Sequence, residues 1–252
     1  MQDPFVATSV IAFAFLLAGV VKGVVGMGLP LITLGILGIV MAPVEAVALL
    51  VVPSFVTNVW QLVAGPSRFA LFRRFATLIA GVCIGTALGV GLLTGEATAL
   101  ASATLGTVLA LYGVLGLVSA RVRVLPRSEP WLSPIIGVLT GILSGATGVY
   151  AIPAVPYFSA LGLEKEELIQ TLGLLFTVCT IALAVGLMAH GRFPSSVAMG
   201  SLLALIPTLG GMLLGQRVRN RLKPELFRRW FCVALVVLGG YMVVRALAHA
   251  QA

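Results

Sequence analysis

The chain has 252 residues, 60% of them hydrophobic and 10% charged, with a formal net charge of +8 and a mean hydropathy of +1.12. Ordinary soluble domains carry roughly a quarter charged residues, so this composition excludes a water-soluble monomer. The basic residues sit in short stretches between long apolar runs, the pattern of an integral membrane protein rather than a nucleic-acid footprint. The lipid bilayer is the predicted partner, and no nucleic acid is expected.

Met1-Gln2-Asp3-Pro4 carries no Lys or Arg, so the positive n-region of a cleavable signal peptide is missing. The apolar runs that follow are Phe5–Val21, Leu29–Met41, Val44–Ala64, Phe75–Leu93, Thr98–Ala120, Leu132–Thr147, Ala151–Leu163, Leu168–Ala189, Ser195–Gly215 and Trp230–Leu247. Six of these reach, or nearly reach, the roughly 20 helical residues that cross the hydrocarbon. Phe5–Val21 is slightly short, and Leu29–Met41, Leu132–Thr147 and Ala151–Leu163 are clearly short. The short runs flank two glycine-rich breaks, Lys22-Gly23-Val24-Val25-Gly26-Met27-Gly28-Leu29-Pro30 and Ser144-Gly145-Ala146-Thr147-Gly148-Val149-Tyr150-Ala151-Ile152-Pro153.

These breaks are copies of one another. At an offset of 122, Gly19, Gly23 and Gly26 fall on Gly141, Gly145 and Gly148, and Pro30 meets Pro153 after a one-residue shift; downstream, Gly85 and Gly89 match Gly211 and Gly215. The sequence therefore predicts an all-α polytopic membrane protein of two repeats. The first, 1–119, holds a broken hairpin (5–41) and spans 44–64, 75–93 and 98–120. A basic cytoplasmic linker, 120–131, joins it to the second, 132–248, with a broken hairpin (132–163) and spans 168–189, 195–215 and 230–247.

Charge orients the spans. If each hairpin enters and returns on one side, 13 of the 16 cations fall in cytoplasmic loops, with Arg192 and Arg245 outside and Lys22 in the membrane. If each hairpin crosses once, the loop of Arg217, Arg219, Arg221, Lys223, Arg228 and Arg229 is exported. The positive-inside rule favours the first arrangement. Both termini then face the outer, periplasmic side of the inner membrane, and the two repeats are inverted. Inverted repeats with broken helices are an architecture of secondary transporters.

Irregular backbone survives in a bilayer only inside protein or against a water-filled cavity. Gly23–Pro30 and Gly145–Pro153 are therefore expected at the protein centre, facing each other. Pro30 and Pro153 suit the first turn of a restarting helix, so each break should offer a helix N-terminus with free N–H groups, a setting for an anion. Gly23, Gly26 and Gly28 in one break, and Gly145, Thr147 and Gly148 in the other, are candidate binding positions. Lys22 is the one basic residue inside an apolar run, and intramembrane ions are functional by default; the alternative is snorkelling to a headgroup. Its repeat mate is Ser144. Tyr150 either hydrogen-bonds a substrate or caps the restarting helix.

Ser54, Thr57, Asn58 and Gln61 form a polar stripe at helical spacing, with Thr177 and Thr180 as a weaker counterpart in the other repeat. Cavity lining and interhelical hydrogen bonding both fit such stripes. Gly81, Gly85 and Gly89 make a doubled GxxxG that close helix packing explains. Trp60, Trp131 and Trp230 read as interfacial anchors. Cys83, Cys179 and Cys232 lie apart, with no CxxC and no neighbouring His. They read as small hydrophobes, and no metal or other cofactor is expected. The small-residue faces can pack within one chain or between two copies as a homodimer.

The stretch Gly19–Pro30, its echo Gly141–Pro153 and the arrangement of spans together resemble the TauE/SafE family of sulfite-exporter-like membrane permeases, over nearly the whole chain. The resemblance implies transport of a small sulfur-containing anion: sulfite, thiosulfate, sulfoacetate or a related organosulfonate. The first break departs from the family pattern, with Gly-Met-Gly in place of a longer glycine run and Lys22 before it. Both departures bear on the substrate.

The expected activity is therefore a permease working by alternating access. An anion channel, a transporter of small carboxylates and a non-transporting scaffold are the alternatives. No buried acid–base pair, nucleophile–His pairing or phosphate loop points to an enzyme. The acids Asp3, Glu45, Glu96, Glu129, Glu164, Glu166, Glu167 and Glu225 all fall in loops or at interfaces, which predicts downhill flux. Glu45, at the outer start of its span, is the expected proton carrier if coupling exists.

Overall fold

The structure, a computed structural model, describes residues 4–65, 68–95, 98–118, 124–219 and 224–250. Asp3, Glu96, Arg121, Arg123, Arg221 and Lys223 lie outside the described residues. Among those described, every regular element is a helix: α1 (Pro4–Val25), α2 (Leu29–Val40), α3 (Pro43–Val63), α4 (Arg68–Arg74), α5 (Ala76–Thr94), α6 (Thr98–Val118), a 3-10 turn (Pro126–Ser128), α7 (Glu129–Thr147), α8 (Ala154–Ala160), α9 (Lys165–Ala189), α10 (Ser195–Arg219) and α11 (Pro224–Ala250).

Eight of these are long and apolar enough to cross a membrane, where run length alone gives six. The two additions are the first arms of the hairpins. α1 does not stop at Val21 but runs on through Lys22 and Gly23 to Val25, 22 residues in all. α7 begins at Glu129, three residues before its apolar run, because Pro130 fits the first turn of a helix without losing a needed N–H. The return arms stay short, 12 residues in α2 and 7 in α8.

The chain divides into two compact units, and the dividing line falls inside α3, between Pro53 and Ser54. These units do not coincide with the sequence halves. Residues 1–53, 97–119 and 194–252 form one, and residues 54–96 and 120–193 the other.

In the first unit α1 packs along α10, and α6 along α11. The glycines explain the first contact. A Cβ on Gly19 or Gly23 would strike the carbonyl oxygen of Thr208 or Met212, and one on Gly211 or Gly215 that of Leu16 or Val20. Four missing side chains let two backbones touch. Pro53 leaves a gap in the hydrogen-bond ladder of α3. Ser201 of α10 mends it: its hydroxyl donates to Leu49 O at 2.7 Å and accepts from Val52 N at 3.0 Å.

In the second unit α5 packs along α7. Here Gly141 and Gly145 meet Val82 O and Thr86 O, while Gly85 and Gly89 meet Val138 O and Ile142 O. Each of these contacts is the sequence equivalent of one in the first unit. The doubled GxxxG is thus a packing device, as expected, and Gly137-Gly141-Gly145 answers it from α7. α9 lies against α5 and α3: Gln61 Nε2 donates to Ile169 O at 2.8 Å, and Gln170 Nε2 to Leu62 O at 2.9 Å.

One end of this unit is tied by Arg74. Its guanidinium donates to both Glu129 oxygens, at 2.7 and 3.0 Å, and to Glu167 at 3.3 Å. The Glu129 hydrogen bond holds the Arg74 pKa above its ordinary value, against the lowering effect of partial burial. The arginine side chain is 39% exposed, so solvent screens the pair. Arg74→Ala is expected to cost no more than about 1 kcal/mol, less in high salt. Thermal unfolding in detergent at two salt concentrations checks this. Arg192, predicted on the other side, donates to Thr94 O at the last turn of α5 at 3.1 Å, where a cation suits the negative helix end.

Candidate functional site

Lys22 sits in the last turn of α1 with a relative exposure of 5%, in an all-apolar stretch of helix. Gly26 N–H donates to its carbonyl at 2.7 Å and so ends the helix. The break itself is only Gly26-Met27-Gly28. Gly26 and Gly28 have φ of 84° and 104°, the left-handed region that glycine enters without penalty. Gly28 is the N-cap of α2, whose first turn holds Pro30, as predicted. Met27 Sδ accepts a hydrogen bond from Tyr112 of α6 at 3.4 Å, and the Tyr112 ring meets Phe231 edge-on. A Cβ on Gly28 would crowd Val21 and Phe231.

Lys22–Val25 and Ser144–Thr147, predicted within the breaks, are helical instead. Gly23 and Gly145 are helical, and their bare faces lie against the backbones of α10 and α5. A helix tolerates Gly at about 1 kcal/mol, and close packing outweighs that.

The second break is Gly148–Pro153. α7 ends with Gly148 at φ 76°. Thr147 donates to Leu143 O at 2.7 Å and accepts from Val149 N at 3.1 Å, so its hydroxyl fastens the turn. Pro153 is the N-cap of α8 rather than a first-turn residue.

Tyr150 is the centre of the polar group at the second break. Its ring lies 4.8 Å from that of Phe176. Its hydroxyl donates to Ser54 Oγ at 3.1 Å and is within hydrogen-bond reach of the side chains of Asn58 and Thr180. Ser54, Asn58, Ser144, Tyr150, Thr177 and Thr180 are all buried in one unit. Ser144 Oγ, one turn beyond Thr140 on α7, makes no hydrogen bond and lies beside the Cys179 thiol. Thr177 and Thr180 turn their hydroxyl protons to Gly173 O and Phe176 O, both at 2.7 Å, which leaves their oxygens as acceptors.

The first stripe divides. Ser54 and Asn58 join the Tyr150 cluster, Thr57 donates back to Ser54 O at 3.3 Å, and Gln61 fastens α3 to α9. Cys179 and Tyr112 were not legible as site residues. Cys179 has a partial signal, since it stands one residue before Thr180 on the same helix. Glu45 is exposed in the first turn of α3, where a carboxylate suits the positive helix end. Among the described residues no group of three His, Cys, Asp or Glu is placed to hold a metal ion.

Eight span-length helices, two of them running into glycine-bearing breaks lined by buried hydroxyl, amide and ammonium groups, define a multi-pass membrane protein with polar sites inside apolar helices. The chain belongs to the sulfite exporter TauE/SafE family, whose model matches residues 11–242. Neither a curated protein nor a solved structure matches it.

Proposed function

We propose that the chain is an inner-membrane permease for a small sulfur-containing anion, sulfite, thiosulfate, sulfoacetate or a related organosulfonate, working by alternating access with both termini periplasmic and its repeats inverted. Family membership supports transport of the sulfite-exporter type. The observation that carries the anion reading is the buried polar set: Lys22 at the first break, and the neutral group of Tyr150, Ser54, Asn58 and Ser144 at the second. Tetrahedral oxyanions accept hydrogen bonds from several directions, and scattered hydroxyl and amide donors suit that geometry. The recurrence of the same glycine contacts in both units supports the repeat reading.

The neutral cluster has no carboxylate to carry a proton. Flux is therefore downhill, and an inside-negative potential favours anion exit by about 2.3 kcal/mol per charge per 100 mV. Uptake of labelled sulfite or thiosulfate into proteoliposomes tests the proposal. Saturation and counterflow exchange are expected. Linear, non-exchanging flux indicates a channel, and selective uptake of short carboxylates indicates a different substrate.

Tyr150→Phe keeps the ring on Phe176 and removes one donor. Uptake at low substrate should fall about tenfold to a hundredfold, the worth of one hydrogen bond to a charged group, with little change in melting temperature. Uptake at the wild-type rate would remove Tyr150 from the site.

A further inference from the structure

A cavity of about 430 Å³ opens within the first unit, at the end of α2 opposite the first break. Its wall is made of helix ends. The last turn of α2, the Met41-Ala42 turn, the start of α3 at Pro43, the first turns of α6 around Ser102, and the last turns of α11 at Tyr241, Met242 and Arg245 all meet there. Three of these helices, α3, α6 and α11, have spanning length, so their ends fall at headgroup depth.

The lining has two characters. Met41, Pro43 and Met242, with alanines and Val40, make most of it apolar. The polar part is cationic. Arg245 donates through Nη1 to Ile39 O, which seals the last turn of α2 and fixes the guanidinium at the rim; Arg has five N–H groups, so one bond does not exhaust it. The first turns of α3 and α6 turn the positive ends of their dipoles toward the same space. Tyr241 is half exposed beside Arg245. Among the described residues no acidic side chain lines the cavity, and Glu45, two residues beyond Pro43, is not part of the wall.

A free oxyanion needs donors on all sides to replace its water, and this wall is mostly hydrocarbon. A molecule with an anionic head and an apolar stem matches both parts. We infer that this cavity is a binding site for an anionic phospholipid, its phosphate on Arg245 and its glycerol and upper acyl chain over Met41 and Met242. A guanidinium recognises a phosphate through charge-assisted hydrogen bonds. The inference needs only the membrane and is independent of the transported substrate.

Native mass spectrometry of the full-length protein, exchanged into micelles doped with phosphatidylglycerol or phosphatidylcholine, tests it. One phosphatidylglycerol retained per chain, in preference to phosphatidylcholine, is expected. Arg245→Ala should weaken retention about tenfold. Because that variant also uncaps α2, Ala99→Leu is the companion: it fills the wall while leaving Arg245 on Ile39, and should weaken retention without lowering the melting temperature. Equal retention of the two lipids, unchanged retention in Ala99→Leu, or displacement of phosphatidylglycerol by millimolar thiosulfate or inorganic phosphate would overturn the assignment; the last result gives the cavity to a free oxyanion.

Discussion

Replacing Lys22 with methionine is expected to lower uptake about a hundredfold while leaving the protein at least as stable as the wild type. The two side chains are similar in length and unbranched, so the helix and its packing against α10 need not change. A Lys at the bilayer centre costs about 2.5–3.5 kcal/mol on insertion scales; Lys22 lies in the last turn of α1 and is buried at 5% exposure. If the ammonium is retained for an anion, its loss removes a charge-assisted contact, and uptake should fall by about a hundredfold. Melting temperature and proteoliposome flux on one preparation separate the two effects. A folded Lys22→Met variant that transports at the wild-type rate would make Lys22 a structural residue.

The second large effect is on folding. Gly85→Val and Gly211→Val place a branched side chain where Val138 O and Leu16 O already stand. Backbone cannot rotate away as a side chain can, so the paired helices must separate. Overpacking of this kind costs about 1–3 kcal/mol or more, and both variants should show a large drop in melting temperature or fail to yield folded protein. A glycine against a backbone carbonyl recurs at the two positions, so the two losses should be similar. Gly91→Ala in α5 and Gly210→Ala in α10 are the controls: a Cβ at either meets nothing within 4 Å, and Ala favours a helix over Gly by up to about 1 kcal/mol. If Gly85→Val melts like these controls, the account of the helix pairs is wrong.

Much of the fold is legible in the residues. Mean hydropathy and the scarcity of charge announce membrane helices, and the duplicated glycine pattern announces two related breaks. Gly28, Pro30 and Gly148 act at those breaks for reasons visible locally, since a positive φ and a missing N–H are properties of single residues. The lengths of the first hairpin arms were not legible. Lys22 and Gly23 read as part of a break, and Glu129 and Pro130 as part of a linker, yet all four are helical. Proline suits a first turn, and glycine and lysine end a helix only when nothing packs against it.

The site divides along the same line. A polar stripe at helical spacing shows that Ser54, Thr57, Asn58 and Gln61 share a face, and it cannot show what that face meets. The amide of Gln61 is taken up by Ile169 O, whereas Ser54 and Asn58 converge with Tyr150 and Thr180 from two other segments. Periodicity and composition, being sums over neighbouring residues, determined that this chain is a bundle of membrane helices with two glycine-bearing interruptions. Only the tertiary structure decided that α1 pairs with α10 and α7 with α5, across the sequence halves, and which hydroxyls meet. Those choices depend on the fit of two surfaces distant in sequence, where the absence of a few Cβ atoms allows backbone contact that no single segment encodes.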